Sequence, residues 1–218
     1  MKIQQLKKDA RASLKGRWGL AVLVGFLVVL ISGGIPSLLQ MIASGGPSAY
    51  PETSDSGGDI IFWLVTAALL PVSVAGYWIF LAIARNEKAA VGDLFQLFSS
   101  GKRYFKTIGL GVLIAIYSFL WSLLLIIPGI IKSLAYSQTY FIYHDHPELT
   151  LNQMITKSRK MMDGYKWKFF LMQLSFIGWG ILCLISIGIG FLWLVPYINT
   201  TMAKFYEHLR NNEEVQEI

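Results

Sequence analysis

The chain has 218 residues, of which 54% are hydrophobic and 15% charged, with a net charge of +6. A soluble domain carries roughly 25% charged residues, whereas here the stretches 18–51, 60–84, 107–131, 133–144 and 169–203 hold no Asp, Glu, Lys or Arg. Runs of about 20 apolar residues match the ~30 Å hydrocarbon core of a bilayer, so the composition excludes a water-soluble globule and points to an all-α, multi-pass membrane protein forming one integral membrane domain over residues 1–218.

In chain order, residues 1–17 are basic, with 6 Lys/Arg. The apolar run that follows has the flanks of a signal peptide, but Met41-Ile42-Ala43 puts a bulky residue where a cleavage site needs a small one, so 18–42 is read as a retained outgoing helix. Residues 44–59 read as an external loop rich in Gly, Ser and Pro, carrying Glu52, Asp55 and Asp59 and no Lys or Arg. Residues 60–84 return to Arg85. The basic stretches 85–106 and 145–168, with 5 Lys/Arg each, place themselves on the cytoplasmic side with the N-terminus. The 42 residues of 104–145 between them must form a hairpin with a turn within 121–129, where Pro128-Gly129 is the natural breaker. A returning leg starting at Pro128 has about 16 residues, near 24 Å, so a re-entrant segment is the alternative there, and Lys132 is expected near the outer interface. In 149–163, Leu151, Met154, Ile155, Ser158, Met161 and Met162 share a helical face opposite Gln153, Lys157 and Lys160, the pattern of an interfacial helix; a Met-rich face that binds a partner is the alternative. Residues 166–208 form a last hairpin with Ile187-Gly188-Ile189-Gly190 as its turn, followed by a cytoplasmic tail at 208–218. Six transmembrane helices result, arranged as three hairpins with cytoplasmic interfacial helices and both termini inside.

A repeat accompanies this pattern. Lys15-Gly16-Arg17-Trp18, Gly101-Lys102-Arg103-Tyr104 and Gly164-Tyr165-Lys166-Trp167 each precede an outgoing helix, and Pro71, Pro128 and Pro196 lie in the three returning ones. The chain reads as three copies, 1–86, 87–146 and 147–210, in which Gly closes a surface helix in the left-handed conformation and the basic and aromatic residues sit in the headgroup belt. Arg17, Trp18, Lys102, Arg103, Tyr104, Lys166 and Trp167 are thus the expected contacts to anionic lipid headgroups. The lipid bilayer is the expected partner, together with an unidentified membrane protein; nucleic acid is not.

His144-Asp145-His146 with Glu148 has metal-ligand residue types, but side chains two apart on a helix do not face each other and Pro147 imposes an extended geometry on His146; no metal site is read here. Cys183 is the single cysteine, so there is no disulfide framework, and it reads as a small core residue. The uncharged crossings carry no mid-membrane carboxylate of the kind ion-coupled carriers use. Gln138, Asn199 and Thr200 are the best candidates for an intramembrane polar site, with interhelical hydrogen bonding as the plainer role for Asn199-Thr200-Thr201. No assembled nucleophile, base, metal set or cofactor fingerprint is present, so neither enzymatic activity nor a cofactor is expected.

Leu14-Lys15-Gly16-Arg17-Trp18, the run Leu120-Trp121-Ser122-Leu123-Leu124-Leu125-Ile126-Ile127-Pro128-Gly129-Ile130-Ile131-Lys132, then Ala135-Tyr136-Ser137, Ser158-Arg159-Lys160-Met161-Met162-Asp163-Gly164, Leu174-Ser175-Phe176-Ile177-Gly178-Trp179 and Pro196-Tyr197 resemble a bacterial integral membrane family. It is the domain-of-unknown-function family number nine hundred and seventy-five, common in Firmicutes, and the similarity spans nearly the whole chain. A weaker similarity links it to the membrane portion of some glycerophosphodiester phosphodiesterases. Tyr165 stands where the family pattern has His, which weakens a catalytic role at that site. The resemblance implies a bacterial plasma-membrane protein and supplies no activity. The expected function is therefore non-enzymatic: organising or protecting the bilayer, or assisting another membrane complex. The alternative is a transporter or exporter of a small molecule, peptide or lipid, which the repeat and the proline-broken helices favour.

Overall fold

The computed structural model describes residues 2–44 and 56–216, so most of the expected external loop, 45–55, lies outside the described residues. Every regular element among those described is helical: α1 Ile3–Leu14, α2 Trp18–Val29, α3 Ile35–Ala43, α4 Ser56–Arg85, α5 Gly101–Leu124, α6 Ile126–Tyr136, α7 Thr139–Asp145, α8 Leu151–Met161, α9 Lys166–Leu174, α10 Ile177–Ile185 and α11 Phe191–Gln216. Four helical stretches among them are long and apolar enough to cross a membrane: Trp18–Ala43, Gly57–Arg85, Gly101–Leu123 and Lys166–Ile185. Their packing differs sharply. Within the apolar window, 61% of the second stretch is buried, against 17%, 11% and 22% of the others, which makes α4 the central post.

The first hairpin packs α2 and α3 on α4. A π-turn at Leu30–Gly34 joins α2 to α3, and it falls where Pro36 sits in the first turn of α3. Pro36 has no N–H to give to the carbonyl four residues back, and the wider turn accommodates that loss. At this bend the Ser73 hydroxyl donates to Ser32 at 2.9 Å. Gly25 and Gly76 permit close approach here: a Cβ on Gly76 would lie 2.9 Å from Val28, and one on Gly25 would be 3.6 Å from Val195 and Pro196 of α11.

The second hairpin turns at Leu125, whose φ of −163° and ψ of 143° break the helix, inside the expected interval 121–129 but ahead of its expected breaker Pro128-Gly129. Pro128 falls in the first turn of α6, where a missing N–H costs nothing. Gly129 allows α6 to lie on α5, because a Cβ there would collide with Ser122. The returning leg is interrupted as well: α6 ends at Tyr136 and α7 starts at Thr139, so α6 alone is about 16 Å long. Lys132, expected near the outer interface, instead shares a cavity with Arg159, Lys160 and Lys166 of the basic 145–168 stretch, because α6 packs against α8 and α9.

The third hairpin turns at 186–190 as the Ile-Gly-Ile-Gly pattern suggests, with φ of 54° at Ile187 and 83° at Gly188. Gly190 sits against the buried Cys183, which a Cβ would approach to 2.7 Å. The outgoing leg breaks between α9 and α10 at Ser175-Phe176. The expected tail at 208–218 is helical through Gln216 because α11 continues, and Leu209 is buried in the core.

Two amphipathic helices complete the body. In α8 the helical pattern is present, capped by Thr150, whose hydroxyl accepts from the Gln153 N–H. Its apolar face is not turned to lipid: Met154, Ile155, Ser158, Met161 and Met162 are buried in the protein against α5, α6, α7 and α11. α1 likewise buries Leu6, Ala10 and Leu14, against α4 and α11. The largest fully buried side chains, among them Leu14, Ile83, Leu94, Phe141, Tyr143, Phe205 and Tyr206, cluster where these helices meet the basic ends of the hairpins. Away from there, Leu123, Ile185 and Ile187 are 74%, 74% and 92% exposed, an apolar surface compatible with contact to lipid or to another protein.

Candidate functional site

Three chain segments that are far apart in sequence converge on one ion-pair cluster. Arg85, the last residue of α4, donates to both carboxylate oxygens of Asp145 at the end of α7, Nη1 to Oδ1 at 2.9 Å and Nη2 to Oδ2 at 2.6 Å. Its Nε donates to Glu207 Oε1 of α11 at 3.0 Å. Arg210, one turn further along α11, donates to Glu207 Oε2 at 3.0 Å and to Asp145 Oδ2 at 3.3 Å, while the Tyr206 hydroxyl donates to Asp145 Oδ2 at 2.8 Å. The Arg85, Asp145 and Glu207 side chains are only 13%, 12% and 17% exposed. Two guanidinium groups face two carboxylates, so charge balances and the bidentate geometry is the strong form of the pair. Burial pushes the Asp145 carboxyl up, but hydrogen bonds from His144, Arg85 and Tyr206 together with the Arg85 charge outweigh it and hold the group well below the usual carboxylate range. Around the cluster, Lys204 and Ser13 both donate to the Ala84 carbonyl, and the Trp78 indole N–H donates to the Tyr140 carbonyl at 2.8 Å.

The residues expected to form an intramembrane polar site do not come together. Gln138 is fully buried at the α6–α7 joint, where its Nε2 donates to Ser137 Oγ at 2.8 Å and its backbone N–H to Ser158 Oγ at 3.3 Å. Asn199 donates to the carbonyl of Val195 in its own helix at 3.0 Å. Thr200 is buried, and neither its hydroxyl nor Gln138 Oε1 has a hydrogen-bond partner among the described residues. A cavity of about 260 Å³ between α4, α5, α6, α7, α9 and α11 is lined by the neighbours Ser137, Ser118, Tyr140 and Gln173, and by none of those three. It is uncharged. Ser133 and Ser137 spend their hydroxyls on the carbonyls of Ile130 and Leu134 in their own helix, and the Gln173 amide reaches Met202 Sδ at 3.6 Å.

The expected headgroup contacts divide. Arg17 caps the end of α4, donating to the carbonyls of Glu87 and Asn86 at 2.7 and 3.1 Å. Tyr104 donates to the Ala68 carbonyl at 3.2 Å, in the turn that Pro71 disturbs. Lys166 pairs with Asp163 at 3.1 Å, and Arg103 reaches Ser99 at 3.2 Å. Trp18 lines a pocket with Trp179 and Trp193. Lys102 and Trp167 point outward, Trp167 stacked on Phe170. In the His144–Glu148 stretch, Asp145 belongs to the ion cluster, and His146 touches Lys157 at 2.9 Å and Glu148 at 3.3 Å. The signal that marks the cluster in the amino-acid order is position: Arg85 and Asp145 are each the first charge after an uncharged run, and Glu207 follows closely on the third.

No curated protein and no solved structure matches the chain. A family match does cover it, in two overlapping stretches, residues 1–131 and 122–213, under the description "Protein of unknown function (DUF975)". With nearly every residue inside that match, the chain belongs to the DUF975 family.

Proposed function

We propose that the protein is a non-enzymatic, multi-pass protein of the bacterial plasma membrane that organises or protects the bilayer or supports another membrane complex, with six crossings and both termini in the cytoplasm. The observation that carries this reading is the buried Arg85–Asp145–Glu207–Arg210 cluster. It joins the ends of α4, α7 and α11, which supports the reading that each hairpin returns to the side it left, and it spends well-placed ionisable groups on architecture. The broad apolar surface of the remaining helix lengths supports contact with lipid as the working interaction.

The cavity beside Gln173 favours a second reading, a transporter or exporter, since a carrier needs a polar site between helices. One experiment separates the two. Cells lacking the protein should admit more of a membrane-impermeant dye under membrane stress, and both the wild-type chain and Gln173→Leu, which replaces a polar lining side chain of the cavity with an apolar one, should restore the barrier equally. Failure of a stably inserted Gln173→Leu protein would overturn the first reading in favour of transport.

A further inference from the structure

The cavity that Lys132 enters is built unlike the rest of the surface. It holds about 350 Å³ between α6, α8 and the start of α9, and its polar wall consists of Lys132, Arg159, Lys160 and Lys166 against a single carboxylate, Asp163. Asp163 is already paired with Lys166, and among the described residues no ion pair engages Lys132, Arg159 or Lys160. Lys132 is the only charge between Lys106 and Asp145. Its ammonium lies 4.3 Å from the centre of the Trp121 ring, which fixes the side chain without neutralising it. Like charges gathered at one concave spot repel, and an anion relieves that repulsion while it accepts their hydrogen bonds. The rim is apolar: Ile131 lines the cavity, and Ile127, Ile130 and Ile131 on the same helix are 72%, 48% and 45% exposed. A ligand that satisfies both features carries a phosphate anion and a hydrocarbon tail.

We infer that this cavity is a binding site for the phosphate of an anionic phospholipid, held by Lys132, Arg159 and Lys160 with the acyl chains lying along the exposed isoleucines of α6. The site rests on the membrane reading above and specifies where that membrane is held. Basic pockets between membrane helices recognise anionic headgroups in this way. Exposed lysines elsewhere on the chain act only as diffuse charge, screened within a Debye length.

Full-length protein in mild detergent, titrated with phosphatidylglycerol and with phosphatidylcholine and read by native mass spectrometry, tests the site. The wild-type chain should retain phosphatidylglycerol selectively. The double variant Lys132→Gln with Arg159→Gln should weaken that retention by about tenfold or more, as expected for lost charge-assisted bonds. Lys2→Gln with Lys8→Gln, which removes the same charge from exposed positions on and beside α1, should leave retention nearly unchanged. Arg159→Gln with Lys160→Gln alters only exposed side chains on α8 and repeats the test should Lys132→Gln unfold. Equal losses in the pocket and α1 variants would overturn the site in favour of diffuse electrostatics. Displacement of the lipid by inorganic phosphate alone would overturn the lipid assignment. Insertion of each variant into vesicles is measured in parallel: a chain that inserts but lacks selective retention sinks the pocket alone, whereas one that never inserts sinks the membrane reading with it.

Discussion

Asp145 receives two bonds from Arg85, one from Tyr206 and one from Arg210, so removing its charge leaves two guanidinium groups, only 13% and 30% exposed, to share the charge of Glu207. Breaking one partner of a buried pair is costlier than lacking the pair, by about 3–5 kcal/mol. Asp145→Asn should therefore lower stability by about that amount in equilibrium unfolding, while Asp163→Asn, at an exposed pair whose carboxylate is 84% exposed, should change it little. The sign of the pH dependence follows. A carboxyl held below its unfolded value stabilises the fold above that value, and the contribution fades as pH falls through the unfolded pKa of about 3.9 and onward to the lower folded one. Wild-type unfolding should become progressively easier below about pH 4, and Asp145→Asn should remove much of that slope; an unchanged slope would show that other carboxyls govern it. At this scale the amino-acid order is a poor guide to partners. Asp145 is visible within a His-Asp-His triplet, and helix geometry argues against a metal there, but Arg85 is 60 residues away and Glu207 is 122 residues from Arg85, a separation that local spacing does not encode.

Among the elements, the joints separate what pattern reveals from what packing decides. Gly16 and Gly164 have φ of 79° and 72° with open space around a would-be Cβ, whereas Gly101 begins α5 without a positive φ. Replacing either of the first two by Ala should cost about 1–2 kcal/mol of left-handed strain, visible as a lower melting temperature, and Gly101→Ala should cost nothing comparable. Equal effects at all three would contradict the backbone explanation. The 186–190 turn is legible because Gly-Ile-Gly announces it. The turn at Leu125 is legible only to within 121–129: the proline three residues on is absorbed in the first turn of α6, and a leucine carries no turn signal. The helix 151–161 shows a similar divide. Apolar spacing of 3.6 is the same whether lipid or protein covers the face, so the helix was readable and its cover was not. Since Met154 is fully buried, Met154→Ala should destabilise the whole protein by about 2–5 kcal/mol, while an exposed change on the opposite face, Gln153→Ala, should lose only the bonds its side chain accepts from Thr150, about 1 kcal/mol.

For the whole molecule, the basic flanks and the ion cluster bear on the same question from independent directions. The flanks assign sides by charge statistics, while the cluster requires the ends of α4, α7 and the charged part of α11 to lie together whatever the statistics say. The four long apolar stretches alone do not give this arrangement, because α6 and α7 are each too short to span and the apolar part of α11 stops at Lys204. Taken singly, those elements look like re-entrant pieces; their tie to Arg85 and Glu207 is what supports the proposed reading of them as returning legs. Single cysteines introduced into a Cys183→Ser background test the arrangement. Cysteines replacing Glu87, Glu148 and Asn211, one beside each hairpin's return, should all resist a membrane-impermeant thiol reagent in intact cells and all react once the membrane is permeabilised. A cysteine replacing Ser56 should react in intact cells. Reaction at Glu148→Cys in intact cells, with Glu87→Cys still protected, would mean that the second hairpin ends on the far side, and a buried Arg85–Asp145 pair would then be impossible in the membrane-inserted protein.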